Sequence, residues 1–293
     1  MRAALRILVV GLAACHGAPA VVPATATGPR AALPSPATAQ PVHPQSTDGP
    51  GALGTPKAAL ARPPAALVDE APEKEELALV HRAGRFDDSD PRGPRFSWPA
   101  TRLSTRMRGD ALAVRLAGPA HVYFEIEVDG ASVGRFETRD GEHRYALVSG
   151  LTVGEHEVAI VRRNEGSFGV VQFLGFEGAE LIPSPSPYRH HIEIVGDSIS
   201  AGSGIEGTPP CSFSAATESA YLTYGAIAAR NLKASLSLVA YSGKGLIQNF
   251  GGDTRERLPT LYRRTLTTER DSRWDFFAPR DAVIVNLGTN DFS

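Results

Sequence analysis

Residues 191–198, His-Ile-Glu-Ile-Val-Gly-Asp-Ser, decide the fold of the second half of the chain. Their apolar centre predicts a buried β-strand, and the Gly-Asp-Ser that follows predicts a tight turn that presents Ser198. A second stretch has the same form, since the apolar segment 282–287 is followed by Gly-Thr-Asn-Asp at 288–291, which presents Asn290. A nucleophile and an amide donor at the ends of two strands form the skeleton of a serine-esterase site.

The segments around these strands alternate between helix and strand. Residues 218–232 predict an amphipathic helix, residues 236–240 a further strand, and residues 254–266 a helix that Pro259 should break or restart. Strands that alternate with helices imply βαβ units and a parallel sheet covered on both faces. We therefore expect an α/β/α layer fold with three strands in the second half of the chain.

Three short motifs fall where open parallel sheets bind ligands, at the carboxyl ends of the strands. The middle motif is Ser-Gly-Lys-Gly at 242–245. The N–H groups of Ser198 and Gly243 and the side-chain amide of Asn290 are expected to form an oxyanion hole. The alternative is that these are ordinary strand-to-helix turns, in which such residues are common. The residues expected to shape the supporting turns are Gly196, Asp197 and Gly288.

The segment 77–182 has a different pattern, with short alternating runs separated by turn signals. Residues 122–128 alternate, and Asp129-Gly130 then supplies a hairpin turn before a returning strand. Further strands are predicted over 143–148, 155–162 and 170–176. Regular short strands without a helical period predict an antiparallel β-sandwich, and a Pro-rich linker at 183–187 follows it.

Residues 1–15 resemble an export signal, with a positively charged start and a short apolar run. Leu-Ala-Ala-Cys at 12–15 resembles a lipobox, after which Cys15 would carry a lipid; ordinary cleavage after Ala20 is the competing expectation. Residues 16–76 are rich in proline and alanine and contain no aromatic residue, which predicts a disordered tether. We therefore expect an exported protein that is either lipid-anchored in the cell envelope or secreted.

The charge balance argues against a nucleic-acid partner. The 293 residues carry 30 basic and 32 acidic side chains, for a net charge of −2, and no stretch concentrates Lys or Arg. After the signal, no segment approaches the roughly 18 consecutive apolar residues that a membrane-spanning helix needs. Any contact with a membrane is therefore expected through the lipid anchor alone.

The motifs together resemble the SGNH (GDSL) hydrolase superfamily, in which a Ser, a Gly, an Asn and a His stand in four sequence blocks. Ser198 matches the first block, Gly243 the second and Asn290 the third. The β-sandwich in front narrows the resemblance to carbohydrate esterase family 2. The stretches that carry it are Gly-Pro-Arg-Phe-Ser-Trp-Pro at 93–99, Val-Asp-Gly at 128–130, Gly-Leu-Thr-Val-Gly-Glu-His at 150–156, Arg-Arg-Asn-Glu at 162–165, Gly-Phe at 175–176, and residues 240–245 and 286–292.

This resemblance implies a jelly-roll domain over 77–182 and the first part of a flavodoxin-like hydrolase domain over 188–293. It implies removal of O-acetyl groups from a polysaccharide such as acetylxylan or acetylglucomannan, with Ser198 as the nucleophile. No metal and no organic cofactor is implied. Two other functions stay open, namely a glycan-binding lipoprotein without catalysis and a general hydrolase of lipids or small esters.

The sequence does not supply a general base, which a serine nucleophile requires. The resemblance implies a histidine block well beyond Asn290, and none of the eight histidines fits. His190 and His191 start the strand that ends at Ser198, so His191 is expected about 23 Å from it. The chain is expected to be impaired, either as a fragment of a longer esterase or as a natural short form. An exposed apolar edge on a three-stranded sheet favours the fragment.

Cys211 is expected either to pair with a cysteine outside this sequence or to be a buried thiol.

Overall fold

The computed structural model describes residues 6–9, 74–209 and 213–293. The rest of the predicted signal peptide, the lipidation at Cys15, most of the tether and Cys211 lie outside the described residues. The strands are β1 (Arg6–Val9), β2 (Val80–Ala83), β3 (Arg95–Phe96), β4 (Arg102–Gly109), β5 (Leu112–Gly118), β6 (Tyr123–Val128), β7 (Ala131–Glu137), β8 (Gly141–Val148), β9 (Gly154–Arg162), β10 (Val171–Glu177), β11 (Glu180–Ile182), β12 (His190–Gly196), β13 (Ala234–Ala240) and β14 (Ala282–Asn286). The helices are α1 (Lys74–Leu77), α2 (Ser198–Ala201), α3 (Tyr224–Asn231) and α4 (Leu258–Leu261), and short 3-10 helices occupy Gly166–Phe168, Ala215–Thr217, Ala220–Leu222, Phe250–Gly252 and Thr289–Phe292. Helix α1 begins at Lys74, two residues before the expected end of the tether at residue 76.

The first domain is a sandwich of two antiparallel sheets, as predicted. One sheet has the order β11-β4-β9-β6-β7, with β2 also paired to β4, and the other has the order β3-β10-β5-β8. The inner faces share one core, in which the rings of Phe96 and Phe124, from different sheets, meet edge to face at 6.1 Å. The predicted hairpin has a positive φ at both Asp129 and Gly130, as a two-residue type I′ turn requires.

The second domain contains the predicted parallel sheet, in the order β1-β14-β12-β13. Three of its strands were expected from the sequence. The fourth is β1, which pairs with β14 in parallel from Arg6 opposite Ala282 to Val9 opposite Val285. In the uncleaved chain the structure thus differs from the expected three strands with an exposed edge at β14 or a neighbour, because residues 6–9 supply backbone partners to β14. These residues lie within the predicted signal, so removal of the signal would expose the edge of β14 again.

The helix predicted over 218–232 is shorter than expected. Helix α3 covers only Tyr224–Asn231, because Thr223 adopts an extended conformation and its side-chain oxygen caps the N–H of Ala226. The same hydroxyl donates to the carbonyl of Ala220, which closes a separate 3-10 turn in front of the helix. Local side-chain hydrogen bonds therefore outweigh the amphipathic pattern at the start of this segment.

The helix predicted over 254–266 is a single turn. Helix α4 has Pro259 in its first turn, where the missing N–H leaves no hydrogen bond unmade. Glu256, just before it, has a φ of 45°, which a continuous helix does not allow. A break or restart at Pro259 was expected, and α4 does begin there, at Leu258, but the expected extent of 254–266 is wrong because the turn ends at Leu261.

The two domains share buried contacts in addition to the linker. The sandwich residue Trp98 is 1% exposed, and its indole N–H donates to the carbonyl of Arg264 at 3.3 Å. Arg85 is fully buried and donates to the carboxylate of Glu193 on β12 at 3.2 Å. The second-domain side chains in the cluster of Trp98 include Val195, Val239, Leu258 and Leu261. Sandwich side chains therefore complete the core beneath the parallel sheet and hold that sheet in place.

Candidate active site

The strands that carry the three motifs end at the same level. Gly196 at the end of β12 lies in register with Ala240 of β13 on one side and with Asn286 of β14 on the other. Because these strands are parallel, the loops that follow them emerge at one edge of the sheet. The residues that these loops carry are Ser198, Gly243 and Asn290.

Ser198 is the first residue of helix α2 and is partly exposed. The buried side chain of Asp197 caps this helix, since its Oδ1 accepts from the N–H of Ile199 at 3.1 Å, and burial raises the pKa of this carboxyl. Gly196 has no space for a side chain, because a Cβ there would lie 2.1 Å from the Oγ of Ser200. The Gly-Asp-Ser sequence therefore fits a tight turn that leaves the Ser198 side chain accessible.

Gly243 lies in the loop after β13 with a φ of 75°, a left-handed conformation that glycine adopts without strain. Its carbonyl accepts from the N–H of Phe250 at 2.8 Å. Among the described residues no group accepts a hydrogen bond from the N–H of Gly243. This backbone donor is therefore available to a ligand at the edge of the sheet.

Asn290 is 7% exposed and lies in the turn that begins after Gly288, whose φ is 128°. Its Nδ2 donates to the carbonyl of Lys244 at 2.9 Å. This bond uses one of the two amide hydrogens and ties Asn290 directly to the loop that contains Gly243. The second and third motifs are therefore in contact.

Asp291 holds these two loops together, a role that the sequence did not indicate. Its carboxylate accepts from the N–H groups of Leu246, Ile247 and Gln248 at 3.0, 2.5 and 3.1 Å. Burial acts to raise the pKa of Asp291, but the three backbone donors outweigh it and the pKa lies below its usual value. Asp291 is therefore ionised at neutral pH and fixes the loop between Lys244 and Gln248.

The sandwich domain also reaches this edge of the sheet. Glu165 is 4% exposed, and its Oε2 accepts from the N–H of Ser242 at 2.6 Å. Its neighbour Asn164 donates to the carboxylate of Glu218 at 3.2 Å across the same boundary between the domains. The Arg-Arg-Asn-Glu stretch was noted in the sequence only as part of a resemblance, and the structure shows that it contacts the second motif.

None of the six histidines in the described part of the chain is in contact with Ser198. His190 and His191 lie at the start of β12, opposite the end that leads to Ser198, and His191 bonds the Oγ of Ser235 at 2.6 Å. This agrees with the expectation that this pair does not supply the base. The other four bond groups of the sandwich or linker, namely His81 with Ser184, His121 with Glu137, His143 with Asp140, and His156 with Asp129 and Thr152.

In the part of the chain that the structure describes, cavities lie beside the parallel sheet. One of about 540 Å³ lies between the domains at the amino end of the sheet, where its lining includes Arg102, Glu127, Tyr188 and Lys233. A smaller cavity of about 220 Å³ lies beside Tyr241 and Lys244 and adjoins the candidate site.

Within residues 74–209 and 213–293, no group of three His, Cys, Asp or Glu side chains is arranged to hold a metal ion, and no helix is long and apolar enough to cross a membrane.

Comparison with known proteins matches two family models to successive parts of the chain. The family model "Carbohydrate esterase 2 N-terminal" matches residues 82–185, and the model "GDSL-like Lipase/Acylhydrolase" matches residues 192–293. The solved structure of a family two carbohydrate esterase from Clostridium thermocellum, in complex with cellohexaose, is 39% identical with a TM-score of 0.70. That match covers 73% of this chain and 67% of that one.

Two curated relatives are similar over the same region. The cellulase/esterase CelE of Acetivibrio thermocellus is 38% identical over 229 residues, which cover 76% of this chain and 28% of the relative. An acetylxylan esterase / glucomannan deacetylase of Cellvibrio japonicus is 29% identical over 217 residues, which cover 72% of this chain and 60% of the relative. The chain thus spans less than two thirds of either curated relative.

Proposed function

Because this chain belongs to carbohydrate esterase family 2, we propose that it is a serine esterase that removes O-acetyl groups from polysaccharide. The observation that carries this proposal is the alignment of the ends of β12, β13 and β14, which brings the three motifs to one edge of the sheet. A partly exposed serine, a free backbone N–H and a side-chain amide at one edge of a sheet are the groups that ester hydrolysis needs.

In the proposed reaction the Oγ of Ser198 forms a bond to the acetyl carbonyl carbon while its proton passes to a base. The negative charge that develops on the carbonyl oxygen is stabilised by the N–H groups of Ser198 and Gly243 and by the Asn290 amide. The bond to the sugar oxygen then breaks, and the sugar leaves with a proton. Water hydrolyses the acetyl-serine, which releases acetate and restores the Ser198 hydroxyl.

The proposed substrate is an acetylated glycan of plant type. A relative from Cellvibrio japonicus is named an acetylxylan esterase / glucomannan deacetylase, and the solved relative from Clostridium thermocellum holds cellohexaose. Export, with or without a lipid at Cys15, is part of the same proposal, because it would bring the site to such polymers outside the cell.

The base is the component that limits the proposed reaction in this chain. A serine hydroxyl is a weak nucleophile at neutral pH unless a base lies within about 3 Å. Since none of the described histidines contacts Ser198, we expect residues 1–293 alone to turn over slowly. An added base of the same chemistry, free imidazole, should then raise the part of the rate that depends on Ser198.

The experiment measures acetate release from acetylated glucomannan and acetylxylan by the parent chain and by Ser198→Ala, each with and without imidazole. We expect slow release that depends on Ser198 and increases with imidazole. The Ser198→Ala variant corrects for direct cleavage of the ester by imidazole. Equal rates for both proteins under every condition would contradict the esterase proposal.

A glycan-binding role without catalysis is the second candidate, and the cellohexaose bound to the solved relative from Clostridium thermocellum favours it. Binding of cellohexaose and of acetylated glucomannan can be measured by calorimetry. Binding that is the same in the parent and in Ser198→Ala, together with no acetate release, would support this candidate.

Hydrolysis of lipids or simple esters is less favoured because of the β-sandwich. Faster cleavage of 4-nitrophenyl butyrate than of acetylated glycan would favour that function instead.

A further inference from the structure

The carboxylate of Glu165 is fully engaged between the two domains. Its Oε2 accepts from the N–H of Ser242 at 2.6 Å, and its Oε1 accepts from the hydroxyl of Ser167 at 2.7 Å. The residue is 4% exposed. Because both oxygens are bonded away from bulk water, the side chain is held in one orientation.

The backbone of Glu165 is held as firmly as its side chain. Its N–H donates to the carboxylate of Glu218 in the hydrolase domain at 3.3 Å. Its carbonyl accepts from the guanidinium of Arg162 at 3.1 Å, and Arg162 is itself fully buried. Glu165 is therefore a fixed point from which the sandwich domain contacts the loop after β13.

The residue that Glu165 binds directly precedes Gly243. Gly243 has a φ of 75° and no side chain, so the direction of its N–H depends on the contacts on either side of it. On the following side, the carbonyl of Lys244 is held by Asn290. On the preceding side, the N–H of Ser242 donates to the carboxylate of Glu165. The residues on both sides of Gly243 are therefore held by hydrogen bonds, Lys244 by Asn290 and Ser242 by Glu165 of the sandwich domain.

We propose that Glu165 is a positioning residue that directs the Gly243 N–H toward the oxyanion, so that the sandwich domain takes part in ester hydrolysis through this hydrogen bond. The inference rests on the proposed esterase function, in which Gly243 is a donor to the developing negative charge. Glu165 does not contact the reacting atoms, because its own hydrogen bonds are to Ser242 and Ser167.

The test compares Glu165→Ala with Glu165→Gln, which keeps an oxygen that can accept from Ser242. Acetate release from acetylated glucomannan is measured with added imidazole for each variant. Loss of an oxyanion donor costs about 10²- to 10³-fold in rate, so misdirection of one should lower kcat by about 10- to 100-fold in Glu165→Ala. The Gln variant should recover most of this loss, and KM should change less than about threefold in both.

A readout that does not need turnover is amide hydrogen exchange at Ser242 and Gly243. Loss of a hydrogen bond to a charged acceptor should speed exchange at Ser242 about 10- to 100-fold in Glu165→Ala and much less in Glu165→Gln. The matched control is Glu269→Ala, which removes a salt bridge to Arg95 across the same domain boundary at 2.9 Å. This control should leave both the exchange at Ser242 and kcat unchanged.

The outcomes separate the two proposals. If the parent chain shows no acetate release that depends on Ser198, the esterase function fails and the role of Glu165 in hydrolysis fails with it. If the parent is active and Glu165→Ala has the parent kcat, only the role of Glu165 is refuted. A loss of kcat that Glu165→Gln does not recover, or that Glu269→Ala matches, would show a general loss of domain packing and would also refute positioning.

Discussion

The substitution Glu218→Gln should make the stability of the protein less sensitive to pH. Glu218 is fully buried, and its Oε2 accepts from the Nδ2 of Asn164 at 3.2 Å and from the N–H of Glu165 at 3.3 Å. Burial first, and the nearby charge of Glu165 second, raise the pKa of Glu218 from 4.5 to about 8, against the attraction of Arg162. The native protein therefore keeps a proton on Glu218 at neutral pH.

The magnitude follows from proton linkage. Between pH 4.5 and pH 8 the unfolded chain releases this proton while the native protein retains it, so the free energy of unfolding falls as pH rises through this window. Each pH unit lowers it by about 1.36 kcal/mol, which amounts to about 4 kcal/mol between pH 5 and pH 8. A glutamine keeps the shape and the accepting oxygen but does not titrate. Glu218→Gln should match the parent at pH 5 to within about 1 kcal/mol and be more stable by about 3–4 kcal/mol at pH 8.

The assay is urea unfolding followed by tryptophan fluorescence, with buried Trp98 as a reporter, at pH 5, 6.5 and 8. The control is Glu75→Gln, which removes an exposed glutamate and should follow the parent at each pH. Equal m-values are needed so that the free energies can be compared. If the parent and Glu218→Gln lose stability in parallel between pH 5 and pH 8, the inferred protonation of Glu218 is incorrect.

Other substitutions test the turn before Ser198, the loop that Asp291 holds and the expected lipid anchor at Cys15. Gly196→Ala places a methyl group against the Oγ of Ser200 and should lower the free energy of unfolding by about 1–3 kcal/mol in urea titrations, whereas Gly134→Ala, with no atom within 4 Å of the new Cβ, should be nearly neutral. Asp291→Ala removes the acceptor of three backbone N–H groups, so exchange of those amides should rise about tenfold or more; unchanged exchange would show that the carboxylate does not hold the loop. Cys15→Ser should move the protein from the membrane fraction to the soluble fraction of a bacterial host, and equal partitioning of both forms would refute the lipid anchor.

Local patterns were sufficient for most of the fold. The alternation at 122–128 and the Asp129-Gly130 turn predicted a hairpin that the structure contains with the expected backbone conformation. The lengths of two helices were overestimated, because the periodicity of apolar residues does not show where a helix begins and ends. Helix α3 begins only after the capping hydroxyl of Thr223, and helix α4 is a single turn with Pro259 near its start. Short-range patterns thus identify the elements better than their ends.

The sequence by itself determined which residues stand at the ends of the strands. Apolar runs followed by Gly-Asp-Ser, by Ser-Gly-Lys-Gly and by Gly-Thr-Asn-Asp are local signals, so the sequence alone places Ser198, Gly243 and Asn290 after the ends of strands. The tertiary structure decided what holds them. Asp291 accepts from backbone groups more than forty residues away, and Glu165 accepts from Ser242, 77 residues later in a different domain. Such contacts join backbone N–H groups, which every residue except proline carries, to carboxylates that look like any other in a sequence. Only the packing of the two domains shows which carboxylates are buried and what they bind.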